Sequence, residues 1–243
     1  MTTFRLKERA VRAILLDIEG TTTPAAFVYE VLFPFARAHI REYLQEHARG
    51  DDDVFQKLRE EWRDDVAARE DPPEWREDSA VSAAAYLDWL MDRDRKSPAL
   101  KLLQGRIWEG GYRSGALKGS VFPDVRPAFE RWQASHVEIA IYSSGSVLAQ
   151  RLLFGATADG DLTPFISGFF DTAVGAKTSP DSYRRIAGGL NLDAAHVLFV
   201  SDVPGELDAA KSAGCQALLA VRPGNRIVTD TDVDTIRSFD QIV

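Results

Sequence analysis

Two carboxylates spaced two positions apart, Asp17 and Glu19, close the apolar run from Ala13 to Leu16 and are followed at once by Gly20 and three threonines. Such a pair supplies both halves of an acid-assisted displacement, one carboxylate attacking as a nucleophile while the other carries a proton. A short isoleucine and leucine run that ends in acids reads as a buried parallel strand, and open α/β sheets bind ligands at the carboxyl ends of such strands. Side-chain alternation turns both acids toward one crevice, and Gly20 lets the chain turn away. Carboxylates ahead of a glycine are also ordinary turn residues, so the pair alone leaves both readings open.

Three more places carry groups of the right kind. The run from Ile139 to Tyr142 ends in Ser143 and Ser144, just before a helix predicted from Val147. Hydroxyls beside free N–H groups at a helix start make an anion site, although a serine there also serves as a plain helix cap. Lys177 precedes a predicted helix, so the helix dipole does not explain it; it is either solvated surface or the partner of a bound anion. The run from Val197 to Ser201 delivers another acid, Asp202, with Glu206 four positions on. Together these two can ligate and orient a hard cation, while Glu206 is equally a first-turn helix acid.

These groups need elements to position them. Helical spacing covers residues 27–47, with Pro34 as a kink or restart, then 53–70, 79–94, and from Ser97-Pro98 to Gly110-Gly111. No strand pattern interrupts this stretch, and its length exceeds what a crossover needs. It predicts an inserted all-helical cap over 24–123, with Gly111 to Pro123 as the return hinge, and a core built from 1–23 and 124–243. In the core, a helix stripe of Val125, Phe129 and Trp132 precedes strands at 137–142, 197–200 and 217–221. Residues 165–170 form a short apolar segment, 173–175 a brief strand, and helices follow Pro180 and span 207–213. Strands alternating with helices predict an α/β fold with a doubly wound parallel sheet.

Composition narrows the function classes. With 45% hydrophobic and 27% charged residues the chain reads as an ordinary globular protein. It has no apolar run of membrane-spanning length and no apolar signal core near residue 1, so a cytoplasmic protein with no membrane partner is expected. The net charge of −8 argues against a nucleic-acid surface. A small phosphate ester remains a suitable partner, provided a local cation such as Mg2+ offsets its charge. The single cysteine, Cys215, excludes an intramolecular disulfide and a cysteine-built metal site, and reads as core. The acidic stretches 51–53 and 229–234 read as solvated loops or helix starts. A core and a cap can bury their apolar faces within one chain, so a monomer is expected.

Taken in order, Asp17-Ile-Glu-Gly-Thr21, the strand-end Ser143, Lys177, and Asp202 with Glu206, with a helical insert between the first and second, resemble the haloacid dehalogenase-like phosphohydrolases over essentially the whole chain. The resemblance implies that Asp17 attacks phosphorus, that Ser143, Ser144 and Lys177 hold the phosphoryl oxygens, and that Mg2+ is bound by the Asp17 and Asp202 carboxylates and the Glu19 main-chain carbonyl. Glu206 would orient the metal site; the family more often has an aspartate there. Glu19 stands where the family usually has a second aspartate. With Tyr142-Ser-Ser-Gly-Ser146, Phe169-Phe-Asp-Thr172 and Val221-Arg-Pro-Gly-Asn225, it is similar to a branch that acts in methionine salvage. That branch enolises 2,3-diketo-5-methylthiopentyl 1-phosphate and then dephosphorylates it to the acireductone. Glu19 would then protonate the departing enolate oxygen and afterwards deprotonate the attacking water. No residue is marked as the base for enolisation; Glu30 and Lys118 are candidates. Three alternatives stand beside this reading: a phosphatase for another small ester, a metal-independent dehalogenase, and a phospho-ligand binder without turnover. A dehalogenase leaves Glu19, Asp202 and Glu206 without a task.

Overall fold

The structure, a computed structural model, describes residues 4–47, 53–76, 80–225 and 232–243. Apolar residues Ala13–Leu16, all buried, form β1. A single helical turn, α1 (Ala25–Phe27), runs into a π-helical turn at Val28–Leu32 and then α2 (Phe33–His47), so Pro34 falls in the first turn of the new helix, where its missing N–H is tolerated. Next come α3 (Asp53–Ala67), α4 (Ala80–Asp92) and α5 (Pro98–Ser114). The chain returns through α6 (Val125–Ala134), β2 (Glu138–Tyr142), α7 (Val147–Gly155), β3 (Gly168–Phe170) and α8 (Pro180–Gly189). It finishes with β4 (Val197–Ser201), α9 (Pro204–Ser212), β5 (Gln216–Ala220) and β6 (Thr235–Ile236).

Two compact units result, Met1–Val28 with Lys118–Val243, and Tyr29–Leu117. The sequence places these boundaries at 23/24 and 123/124. Residues 118–123, read there as a hinge, are hydrogen-bonded into the sheet unit: Gly119 N–H donates to Ala156 C=O (2.7 Å) and Phe122 N–H to Thr22 C=O (2.9 Å).

The sheet unit holds six parallel strands in the order β3-β2-β1-β4-β5-β6. β1 sits between β2 and β4, with Leu16 level with both Ile141 and Val200, so the residues just past these three strands share one rim. This is the topological switch point, where chain order reverses and a crevice opens. One face of the sheet buries Ala13, Leu15, Ala140, Tyr142 and Phe199 against Tyr183 and Ile186 of α8 and Leu207 of α9. Phe129 and Trp132 of α6, Phe154 of α7 and Phe239 form a separate aromatic cluster. Cys215 is buried in the first core, and burial pushes its thiol up to about 11.

The helical unit packs α2 against α4 and α5, and α3 against α5. Its core includes Ile40, Leu44, Leu58, Leu87, Leu103 and Ile107. Asp65, buried in α3, accepts from the Tyr86 hydroxyl and from Arg95 (2.6 Å each), which satisfies a charge that would otherwise be expensive to bury.

Several elements differ from the sequence expectation. α5 does not stop at Gly110-Gly111 but continues to Ser114 and ends on Gly115 at φ 77°. Gly111 serves packing instead, since a Cβ there would lie 2.7 Å from the Phe35 ring. Residues 173–175 form no strand, because Asp171 Oδ1 accepts from Ala173 N–H (2.8 Å) and turns the chain. β6 carries no periodic signal in its two residues. The acidic positions 51–52 and 229–231 lie outside the described residues, as does Ser79. Among the described residues no helix is long and apolar enough to cross a membrane.

Candidate active site

The exit of β1 is held rigidly. Asp17 N–H donates to Val200 C=O (3.0 Å), extending the ladder one residue beyond the strand, and Asp17 Oδ1 accepts from Ile18 N–H (2.8 Å). The N–H groups of Thr21, Thr22 and Thr23 converge on Ile18 C=O at 3.2, 3.0 and 2.9 Å, and the Thr22 hydroxyl donates to Asp17 C=O (3.1 Å). Gly20 has φ 67°, and a Cβ there would lie 2.3 Å from Asp202 Oδ2, so only glycine admits both the turn and the neighbouring carboxylate. From beyond β5, Asn225 Nδ2 donates to Gly20 C=O (2.8 Å) and Arg222 Nε to Thr21 C=O (3.1 Å). Arg222 is itself fixed by Asp124 (2.7 Å) and lies over the rings of Phe122 and Phe239.

The exit of β4 faces it. The Ser201 hydroxyl lies 3.1 Å from Asp17 Oδ2 and 3.0 Å from Glu206 Oε2, bridging the two carboxylates with one proton to share. Lys177 Nζ sits 2.6 Å from Asp17 Oδ1 and 2.6 Å from Glu206 Oε2. Its side chain is 8% exposed, which removes the solvated-surface reading of this lysine.

Electrostatics follow from crowding acids out of water. Burial, then the Asp17 charge, pushes Glu206 up to about 7 against the opposing pull of Lys177 and Ser201. The Asp202 carboxyl is pushed up to about 6 by burial first and by Asp17 next, with Glu19 adding a smaller push. Burial by itself lowers the Lys177 ammonium, but Asp17 and Glu206 outweigh it and the net direction is upward. Three carboxylates, Asp17, Asp202 and Glu206, thus share one ammonium, and the site carries a deficit of positive charge.

The exit of β2 lies on the other side of β1. Ser143 is buried, its N–H donating to Phe170 C=O (3.2 Å) and its Oγ accepting from Gly145 N–H (3.2 Å); Ser144 is exposed. The cap of α7 is Ser146, whose Oγ accepts from Ala149 N–H (3.2 Å), while Val147 N–H is taken by Asp171 Oδ2 (3.2 Å). The capping alternative is therefore met by Ser146 and not by Ser144. Gln150 Nε2 ties this loop to β3 through Gly145 C=O (2.9 Å) and Phe170 C=O (2.8 Å).

Of the residues singled out from sequence, Asp17, Lys177 and Glu206 are directly bonded together, Asp202 lies against Gly20, and Glu19 is half-buried in a bridge to Thr23. Glu30 and Lys118 are both exposed. Sequence reasoning passed over Ser201, although a hydroxyl immediately before a strand-end acid is itself a signal. Tyr142 entered only as a strand end and the start of the Tyr142–Ser146 motif, and Tyr183 was passed over.

Comparison with known proteins gives the family and the fold. The model of the haloacid dehalogenase-like hydrolase family matches residues 11–214. The chain is 51% identical over 237 residues to enolase-phosphatase E1 of Synechococcus elongatus, covering 96% of this chain and 98% of that one. It is 44% identical to the Pseudomonas aeruginosa protein of the same name, again covering 96% and 98%. A structure of UTR4 protein from Saccharomyces cerevisiae superposes with a TM-score of 0.77 at 36% identity over 95% of this chain and 99% of that one. A 2-haloacid dehalogenase from Pseudomonas syringae shares the fold at TM-score 0.58 and 17% identity, over 95% of this chain and 96% of that one. A buried strand-end aspartate under a lysine, on a sheet of this order and with relatives this similar along nearly their whole length, places the chain in the enolase-phosphatase E1 family of haloacid dehalogenase-like hydrolases.

Proposed function

We propose that this phosphatase acts on 2,3-diketo-5-methylthiopentyl 1-phosphate, enolising it and then releasing phosphate through a phosphoryl-Asp17 intermediate to give the acireductone of methionine salvage. The observation that carries the reading is the buried Asp17 carboxylate, held in a fixed plane by Ile18 N–H, Ser201 Oγ and Lys177 Nζ. Fixing the nucleophile removes much of the entropic barrier to in-line attack.

A divalent cation suits the residues present. Among the described residues no three His, Cys, Asp or Glu side chains form a cage. The expected ligands are instead two carboxylates, Asp17 and Asp202, with the Glu19 main-chain carbonyl, an all-oxygen set of the kind Mg2+ takes. The raised Asp202 and Glu206 carboxyls are what a rim short of positive charge produces. Mg2+ bound there supplies charge neutralisation to the transferring phosphoryl group.

The chain's own residues then divide the work. Lys177 and the hydroxyls of Ser143 and Ser144 bind the phosphoryl oxygens. Asp17 forms a bond to phosphorus as the bond to the enolate oxygen breaks, and the Glu19 carboxyl gives its proton to that oxygen. Glu19, now ionised, takes a proton from water; the water oxygen bonds to phosphorus, and Asp17 leaves as carboxylate. Glu206, bonded to Lys177 and Ser201, holds the lysine and orients the metal side of the rim. The helical segment 24–123 is read as the family's cap domain, and the enzyme as a cytoplasmic monomer. The test is phosphate release from the diketo phosphate with and without Mg2+, with the enol followed by ultraviolet absorbance. Asp17→Asn is expected to lose release by about 10³-fold or more; turnover near the wild-type rate in that variant would refute the nucleophile. Phosphate release with no enol would leave a plain phosphatase.

A further inference from the structure

Lys177 stands in the loop between β3 and α8, outside any regular element, and a lysine has enough rotamer freedom that something must aim it. Three consecutive carbonyls of this loop are each met by a side-chain hydroxyl. Tyr142 donates to Gly175 C=O (2.9 Å), Ser182 to Ala176 C=O (2.8 Å) and Tyr183 to Lys177 C=O (2.7 Å). The donors come from the last residue of β2 and the first turn of α8, so the loop is referenced to the sheet and to a core helix. Both tyrosines are buried. Their rings meet edge-on at 5.6 Å, and Tyr183 packs edge-on against Phe199 of β4 at 5.0 Å. Gly175, at φ 141°, brings the loop so close to α8 that a Cβ would lie 2.2 Å from the Ser182 hydroxyl. Lys177 Nζ reaches back over the Tyr142 ring at 5.9 Å.

We infer that Tyr142, Ser182 and Tyr183 are positioning residues: their hydroxyls fix the Gly175–Lys177 main chain so that the Lys177 ammonium is aimed at the phosphoryl oxygens. The inference rests on the reading of Lys177 as a phosphoryl partner given above. Lys177 is buried and Gly175 half-buried, and carbonyls in such places are usually paired, so satisfaction alone would explain those two bonds taken singly; Ala176 is exposed, and its carbonyl could be met by water. Three in succession, from a sheet strand and from a helix whose Tyr183 packs on the strand carrying Ser201, specify a loop geometry, and the residue at its end is the buried lysine of the site.

A double-mutant cycle separates aiming from mere scaffold. The probe is inorganic phosphate, titrated calorimetrically into the full Mg2+-loaded chain. In the otherwise wild-type protein, Tyr183→Phe and Tyr142→Phe each weaken phosphate about three- to tenfold, the scale of one lost hydrogen bond. In a Lys177→Ala background the same substitutions change phosphate affinity by less than about twofold, because the group they aim is gone. If a tyrosine variant fails to fold, Ser182→Ala, which deletes a single oxygen, carries the same comparison. Equal losses in both backgrounds, or no loss in either, would overturn the proposal while leaving Lys177 as a phosphoryl partner. If Lys177→Ala binds phosphate as tightly as the wild type, the reading of Lys177 fails first and the proposal falls with it.

Discussion

In the proposed mechanism Asp17 is the nucleophile, and its bonds to Lys177, Ser201 and Ile18 N–H fix the plane from which it would attack. The surrounding carboxyls carry the cost of that arrangement. Asp202 and Glu206 are pushed up to about 6 and about 7, so Mg2+ binding as proposed would displace a proton from Asp202 and favour loss of one from Glu206 beside it. Apparent Mg2+ affinity is therefore expected to rise about tenfold or more as pH goes from about 5.5 to about 7.5 and to level off above that. Calorimetric titration at several pH values checks this, and a flat profile would contradict it. Asp17 and Asp202 stood out because each closes an apolar strand, and Lys177 because a helix start gives no reason for a cation, whereas Glu206 reads equally as a first-turn helix acid. Ser201 carried only the signal of a hydroxyl ahead of a strand-end acid, and the loop-holding bonds of Tyr142 and Tyr183 carried none, because a tyrosine at the end of a strand or on a helix's buried face has the same pattern as plain core. Only the three-dimensional pairing of β4 with β1 brings Ser201 to Asp17.

β1 is the element that everything at the rim refers to, and its exit turn depends on one residue without a side chain. Gly20→Ala would force a positive φ on a residue with a Cβ and drive that carbon into Asp202, 2.3 Å from Oδ2. A loss of about 1–3 kcal/mol in unfolding free energy is expected, with Mg2+ affinity falling as Asp202 is displaced. Chemical denaturation and metal titration of the same variant check both; wild-type values for each would show that the turn relaxes freely. Long periodic elements were legible, since a buried stripe over several turns has few alternatives. Gly110-Gly111 misled because a glycine pair usually ends a helix, whereas here the close approach of Phe35 requires Gly111 and the helix ends only at Gly115. The segment 173–175 misled for the opposite reason: its small apolar residues suit a strand, but the Asp171 carboxylate turns the chain first.

At the scale of the molecule, the raised carboxyls make folding depend on pH in an unusual sense. A carboxyl whose folded value exceeds its unfolded one keeps its proton in the folded state after the unfolded chain has released it, so stability falls as pH rises through that interval. For Asp202 the interval runs from 3.8 to about 6, and for Glu206 from 4.5 to about 7. The raised Lys177 contributes stability that is fully present below its unfolded value and is lost only as pH climbs through its higher folded value, beyond this window. The metal-free protein is thus expected to melt at a lower temperature near pH 7.5 than Asp202→Asn does relative to their values near pH 4.5, and saturating Mg2+ should remove most of that difference. Parallel melting curves for the two proteins would contradict this. The order of motifs already showed that one chain returns to its first strand after a long helical excursion. What it did not show is where the excursion ends, because residues 118–123 carry a hinge-like composition yet bond to Ala156 and Thr22 of the sheet unit.

The most direct measurement is capture of the covalent enzyme. The full chain is mixed with Mg2+ and the diketo phosphate bearing a radiolabelled phosphoryl group, quenched in acid within one turnover, digested and mapped. Label is expected on the peptide containing Asp17 and absent from Asp17→Asn. Single-turnover phosphate release with no labelled peptide, or label on Ser143 or another residue in place of Asp17, would contradict the mechanism.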